Sequence, residues 1–200
     1  MTRKLRGIFA AAALGLTTAC TPAPTPLSNG QINRPLTDGE IAMAYQIFGD
    51  SIDYSRVRVH KNAHSDNNRA HKSSLYMTQA SYRDDYATSR NSQVRSIFIH
   101  ELAHIWQSHN GKDLVGEAVG LFFRHGGDYD RAYDYDLFDL NNFENLSIEQ
   151  QASIIEDYFY LNETATPWNA AETCRNMEQR AGAVRRVFPD IPINPVCRKP

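Results

Sequence analysis

The sequence predicts an α+β domain that is mainly helical, with a small sheet packed against one central helix. Apolar residues recur at helical spacing in several long segments, and two short segments have strand patterns. Gly and Asn residues fall at the predicted element ends. Some 42 % of the 200 residues are hydrophobic and 10 % are aromatic, which is enough to build one core. We therefore expect one folded domain, residues 37–200.

The first predicted elements are a helix and a strand. Thr37 and Glu40 have the spacing of a capping box, and helical apolar spacing follows until Gly49. Val57 and Val59 alternate with polar residues, as is typical of a half-buried strand.

A polar loop, a second strand and a long helix are expected next. Residues 60–72 are polar and loop-like, and residues 75–78 have the composition of a short strand. Apolar residues cover more than one face of the segment 92–109, which predicts a deeply buried helix. Asn110 and Gly111 would end it.

The second half of the domain is predicted to be helical around one ordered loop. Residues 114–123 form a candidate helix, and residues 126–145 are rich in Asp, Tyr and Asn, as an ordered loop would be. Ser147 and Gln150 have capping-box spacing and open a helix predicted to end near Leu161. A last helix is expected over residues 170–187.

The N-terminus has the pattern of an export signal. Three cations precede an apolar run at residues 8–16, which is too short to span a bilayer. Cys20 follows Ala19 and resembles the lipidated cysteine of a bacterial lipobox. We expect residues 1–19 to be a lipoprotein-type signal peptide, with simple cleavage as the alternative. The Pro- and Thr-rich residues 20–36 would form a flexible tether. The predicted location is the cell envelope, lipid-anchored on the periplasmic side, or secreted.

The cysteines and the net charge limit the cellular compartments and the binding partners to be considered. With Cys20 lipidated, Cys174 and Cys197 remain as a pair that would close the C-terminal tail by a disulfide; two free thiols are the alternative. The chain has 23 acidic and 21 basic residues, and removal of residues 1–19 takes away three of the cations. An acidic mature chain disfavours a nucleic-acid partner.

The segment "FIHELAHIWQ", residues 98–107, carries the strongest functional signal. Histidines four residues apart point about 40° apart on a helix, so His100 and His104 can reach one metal ion. Glu101 projects about 100° from His100 and can take a proton from an activated water. The pattern predicts a Zn²⁺ site with Glu101 as general base; a cluster of satisfied core histidines is the alternative reading.

The third ligand is sought on the helix that begins near Ser147. Glu149 and Glu156 are seven residues apart, on one face, with small residues between them. We select Glu149 as the ligand and Glu156 or Asp157 as the carboxylate that orients a histidine. All three acids could instead be solvated surface residues. The third-histidine arrangement HExxHxxGxxH is excluded, because Gln107 stands at its glycine position.

These segments together resemble a known family. "LTDGEIAMAYQIFGDSIDYSRVRV", "FIHELAHIWQ" and "EQQASIIEDYF" resemble zincin metallopeptidases of the gluzincin branch, and more narrowly the small bacterial HExxH proteins often labelled Vgr-related. That resemblance implies His100, His104 and Glu149 as ligands and Glu101 as the base. The sequence departs from thermolysin-like enzymes at Ser153, where they have an acid.

Two further features would suit a peptidase. The strand at residues 75–78 could hold an extended substrate along a sheet edge, although an ordinary inner strand fits the pattern equally. A tyrosine could stabilise the oxyanion, and Tyr135 is preferred over Tyr133, with simple packing as the alternative for both.

Two functions from different classes follow from this sequence. The first is a zinc metallopeptidase of the cell envelope, acting on peptides or on peptidoglycan stems and held at the membrane by a lipid on Cys20. The second is a catalytically weak or inactive zincin-fold lipoprotein that acts as an envelope or secretion-associated interaction protein, in which His60, His64, His71 or Asp84 would supply a fourth ligand. The sequence does not indicate an oligomeric state.

Overall fold

A computed structural model of the chain describes residues 25–26, 32–62 and 66–198. Five helices and a five-stranded mixed sheet confirm the α+β prediction. The strands are β1 (Thr25–Pro26), β2 (Ile32–Pro35), β3 (Arg58–Asn62), β4 (Arg69–His71) and β5 (Ser74–Thr78). The helices are α1 (Asp38–Phe48), α2 (Ser92–His109), α3 (Leu114–Arg124), α4 (Ile148–Thr164) and α5 (Ala170–Val184).

The sheet has the strand order β1-β2-β3-β5-β4, and only β3 and β5 are parallel. The prediction of a loop over residues 60–72 is wrong at both ends, because β3 continues to Asn62 and β4 pairs with β5 from Arg69 to His71. Strand β5 therefore lies inside the sheet, which was the alternative reading of residues 75–78, and β4 forms the edge.

The predicted tether is also wrong for the four residues of β2. Asn33 and Arg34 pair with β3, and both terminal nitrogens of Arg34 donate to the Glu40 carboxylate over 2.7 Å. Glu40 is fully buried and also accepts hydrogen bonds from the backbone N–H groups of Thr37 and Tyr86. A buried bidentate ion pair of this kind holds the strand against the start of α1.

The helix starts agree with the sequence. Capping boxes are present at Thr37 of α1 and at Ser147 of α4, and Asn91 caps α2 by accepting from two backbone N–H groups. The ends differ by up to three residues, since α4 runs to Thr164 and α5 stops at Val184. The predicted ordered loop after α3 contains two short 3-10 turns, at residues 129–132 and 139–145.

Helix α2 is the centre of the core. It packs mainly against α4 and also contacts α1, α3 and the strands β4 and β5. Its fully buried side chains include Phe98, Leu102 and Ile105, and α4 meets it with the buried Ala152. A small residue at that point lets the two helix axes approach closely.

The C-terminal tail is tied to α4 and α5. Cys174 and Cys197, which are 23 positions apart in the sequence, form the predicted disulfide. The Tyr158 hydroxyl donates to the carbonyl of Pro192, and the side chain of Asn194 donates to the carbonyl of Asn162. The tail therefore supports the back of the helix that carries the predicted third ligand.

The predicted signal peptide, residues 1–19, and Cys20 lie outside the described residues. Among the described helices, none combines the length and the apolar character needed to cross a membrane.

Candidate metal centre

Helix α2 buries three titratable side chains close together in the core. The exposed fractions of His100, Glu101 and His104 are only 6 %, 5 % and 7 %. Burial of titratable groups is costly unless they are paired or bind an ion. Their burial in one helical turn therefore indicates a site.

Helix α4 places Glu149 against both imidazoles. Its Oε2 atom lies 3.4 Å from Nε2 of His100 and 3.2 Å from Nε2 of His104. Ligands 2.0–2.1 Å from a tetrahedral zinc ion lie about 3.3 Å from one another. Both distances match that spacing, so these three residues can hold a metal ion. The described residues contain no second group of this kind.

The contacts between the imidazoles and the carboxylates shift the pKa values of His100 and Glu149. Burial disfavours the charged form of His100, but hydrogen bonds with Glu149 and Glu156 outweigh it and raise the pKa of His100 to about 10. Burial likewise opposes ionisation of Glu149, yet the two imidazoles hold its pKa well below the usual range. An ion bound here would replace the proton on His100.

Glu101 faces the same cavity and is not a member of the triad. Burial raises the pKa of its carboxyl, and the neighbouring imidazoles His104 and His100 oppose that rise. Its Oε2 atom is buried without a hydrogen-bond partner. An orphaned carboxylate oxygen beside a ligand triad is suited to bind a water molecule.

The histidine-orienting carboxylate is Glu156 rather than Asp157. Oε2 of Glu156 lies 3.0 Å from Nδ1 of His100, and the Ser96 hydroxyl donates to its Oε1 over 3.1 Å. Asp157 instead pairs with Arg180 on α5. The partner thus comes two turns after Glu149 on α4, which explains why an acid is not required at position 153.

Two tyrosines of the loop after α3 lie in different places: Tyr133 lines the cavity and Tyr135 does not. Tyr135 donates to Asp157 and accepts from Arg180, and it is not among the residues that line the cavity. Tyr133 does line the cavity, with its ring 5.8 Å from that of His100. The assignment of Tyr135 as catalytic stays a prediction that this position does not favour.

Tyr129 is a site residue that the sequence analysis missed. Its hydroxyl donates to Oε1 of Glu149 over 2.6 Å, which leaves Oε2 turned toward the imidazoles. Only its place in a Tyr-rich loop before α4 hinted at such a contact, because nothing local pairs residue 129 with residue 149.

The triad opens into a cavity of about 460 Å³. The edge strand β4 and the preceding residues 66–68 form one wall, and α3 contributes Leu114 and Ala118 to the other. Of the proposed sources of a fourth ligand, His60, His71 and Asp84 are absent from the lining of the cavity, and His64 lies outside the described residues.

Comparisons with known proteins identify one kind of relative. No family model matches the chain. The type VI secretion system spike protein VgrG2b of Pseudomonas aeruginosa is 31 % identical over 140 residues, which are 66 % of this chain. The matched part is 13 % of the spike protein, so the chain corresponds to a small part of that relative.

The structural comparison is consistent with this match. The effector domain of Pseudomonas aeruginosa VgrG2b superposes with a TM-score of 0.52 and 26 % identity. The alignment covers 79 % of this chain and 83 % of that domain.

These findings correct four predictions. The assignment to zincin metallopeptidases is wrong, because the relatives are a type VI secretion spike protein and its effector domain. The predictions of an envelope peptidase and of a periplasmic lipoprotein are wrong for the same reason, and the comparisons do not support the alternative of an inactive envelope protein. The lipid-anchored location is wrong too, since the relative belongs to a secretion system.

The physical reason for the error is that an HExxH helix specifies a way of holding an ion and not a substrate or a cellular address. Over most of its length, the chain is similar in sequence and structure to the effector domain of a type VI secretion spike protein.

Proposed function

We propose that this chain is a zinc-dependent hydrolase that serves as an effector domain of the VgrG2b kind. One observation carries the proposal: a buried triad with zinc-ligand spacing lies beside an unpaired carboxylate oxygen of Glu101, at the base of an open cavity. The similarity to a secretion effector domain supports the biological role.

The donor set favours zinc and a catalytic site. Two imidazole nitrogens and one carboxylate oxygen are typical of catalytic zinc, which keeps its fourth position for water or substrate. A structural zinc site has four protein ligands, and the described residues bring only three together. A divalent ion held there would act as a Lewis acid, which polarises a carbonyl group and lowers the pKa of water.

Glu101 would act as the general base. Its carboxylate would take a proton from water at the base of the cavity and return it to the leaving group. The raised pKa of this buried carboxyl suits both steps, because a stronger base accepts the proton more readily at neutral pH. The arrangement fits substrates such as amides and esters, in which hydrolysis breaks the bond between the carbonyl carbon and the leaving group.

Tyr133 is the better oxyanion donor. Its side chain lines the cavity beside His100, whereas the hydroxyl of Tyr135 is held by Asp157 and Arg180. We assign Tyr135 to positioning: it fastens the loop that presents Tyr129 to Glu149 and Tyr133 to the cavity.

The test compares metal content and toxicity in matched variants. The wild type and the Glu101→Gln variant are expressed in a bacterial host, in the cytoplasm and with an added export signal. Glu172→Gln, at an exposed position of α5, is the control. We expect the wild type and the control to stop growth in one compartment, and Glu101→Gln to be harmless while it retains the ion. Equal toxicity of Glu101→Gln, or a harmless wild type in both compartments, would contradict the proposal.

A further inference from the structure

Gln107 is a buried amide behind the second histidine of the triad. It lies three residues after His104 on α2, with an exposed fraction of 1 %. Its Oε1 atom is 2.8 Å from Nδ1 of His104. Its Nε2 atom donates to the carbonyl of Ile148 over 2.9 Å and to Oε1 of Gln151 over 3.0 Å. The side chain therefore joins the imidazole to the start of α4.

The contacts of Gln151 determine which way the side-chain amide of Gln107 is turned. The Nε2 atom of Gln151 donates to the backbone carbonyls of Phe143 and Glu144, and a carbonyl can only accept. The Oε1 atom of Gln151 must then face Gln107, whose own NH₂ group also meets the carbonyl of Ile148. Rotating the Gln107 amide by half a turn would oppose oxygen to oxygen at both contacts.

The fixed amide determines which nitrogen of His104 carries a proton. Because Oε1 of Gln107 is an acceptor, Nδ1 of His104 must be the donor. The other nitrogen, Nε2, lies 3.2 Å from Oε2 of Glu149, on the side of the triad. We infer that Gln107, held by Gln151, is a positioning residue that keeps His104 in the tautomer that offers Nε2 to the metal. This inference rests on the proposed metal site.

The two histidines are thus oriented by different chemistry. His100 has the carboxylate of Glu156 at its Nδ1 atom, whereas His104 has a neutral amide. A glutamate at position 107 would turn one carboxylate oxygen toward two acceptors, the carbonyl of Ile148 and the amide oxygen of Gln151. An amide satisfies all three contacts, and it adds no negative charge near Glu101 and Glu149.

Nitrogen NMR of the histidine rings tests the inference directly. In the ¹⁵N-labelled wild type loaded with ¹¹³Cd²⁺, we expect the cadmium to couple to Nε2 of His104 and the Nδ1 proton to exchange slowly with water. The same protonated Nδ1 should be present before metal is added, so the tautomer can be read even if no ion binds. Failure to bind Cd²⁺ or Zn²⁺ would count against the proposed function alone.

The variants separate positioning from a general structural effect. Gln107→Leu should weaken the affinity for Zn²⁺ by about 10- to 100-fold and make the Nδ1 proton of His104 exchange fast. Gln151→Leu should produce a smaller loss of the same kind, because Gln107 can still accept from His104. The exposed Gln46→Leu is the control and should change neither readout.

Three results would overturn the inference. They are cadmium bound through Nδ1 of His104, a metal-free wild type with the proton on Nε2 only, and a Gln107→Leu variant with unchanged zinc affinity and proton exchange. The first two use the wild type, so they decide the matter even if Gln107→Leu does not fold.

Discussion

Replacing Glu149 by Gln is expected to abolish the stabilisation that zinc gives this domain. Glu149 has two oxygens with different partners: Oε1 accepts from the Tyr129 hydroxyl, and Oε2 lies 3.2 and 3.4 Å from the two imidazole nitrogens. In the variant, the amide oxygen can still accept from Tyr129, which leaves the NH₂ group toward the histidines. An amide nitrogen does not ligate zinc, so the triad loses one ligand while the shape of the side chain is kept.

The size of the effect follows from mass action. A ligand at 100 times its dissociation constant stabilises the folded state by about 2.7 kcal/mol. For a chain of 150–250 residues, each kcal/mol raises Tm by about 2–4 °C, so zinc should raise the Tm of the wild type by about 5–11 °C. Thermal unfolding followed by circular dichroism, with and without zinc, measures this rise.

Each protein is compared with its own metal-free form, because Glu149→Gln also removes a charge partner of His100 and lowers the starting stability. Glu172→Gln serves as the control and should show the full rise. An equal zinc-induced rise in Glu149→Gln, or no rise in the wild type, would refute the ligand assignment.

Three further predictions concern the surroundings of the triad. The pKa of His100 is raised from 6.5 to about 10 without metal, so the stability that its charged form contributes is complete below pH 6.5 and is lost as the pH rises through 10. Because zinc competes with the proton on His100, the apparent zinc affinity should rise as the pH rises from about 6.5 to 10. Calorimetry in buffers of different ionisation enthalpy should detect the released proton. A zinc affinity that does not depend on pH would contradict this prediction. Glu156→Gln should weaken zinc binding by about 10- to 100-fold in a competition assay, and unchanged affinity would remove Glu156 from the site. Ala152→Leu should lower the free energy of unfolding by about 1–3 kcal/mol in urea unfolding, because the residue is fully buried on the face of α4 that meets α2. An unchanged free energy of unfolding would mean that the two helices are not closely packed there.

The parts of the fold with local signals could be predicted from the sequence. Capping boxes at Thr37 and Ser147 mark the starts of α1 and α4, and the HExxH spacing places two histidines on one helix. Glu149 could be selected because small residues follow it on a helix that must approach α2. Periodicity and capping are properties of a few neighbouring residues, so a single sequence displays them.

The parts that depend on distant pairing could not be predicted. Strand β2 lies in a Pro-rich segment, and it is ordered by pairing with β3 and by the buried ion pair of Arg34 with Glu40. Strand β4 has a polar sequence because it is an edge strand with little buried surface. Tyr129 joins the site through a partner 20 residues away, and the amide of Gln107 is held by the carbonyl of Ile148, 41 residues away. The sequence has no local signal for either contact.

The most direct test of the metal centre is anomalous X-ray diffraction from crystals of the zinc-loaded protein. We expect one zinc ion within about 2.0–2.1 Å of Nε2 of His100, Nε2 of His104 and an oxygen of Glu149, with its fourth position open to the cavity and to Glu101. A zinc ion held by four protein ligands, or one bound elsewhere with the triad empty, would contradict it.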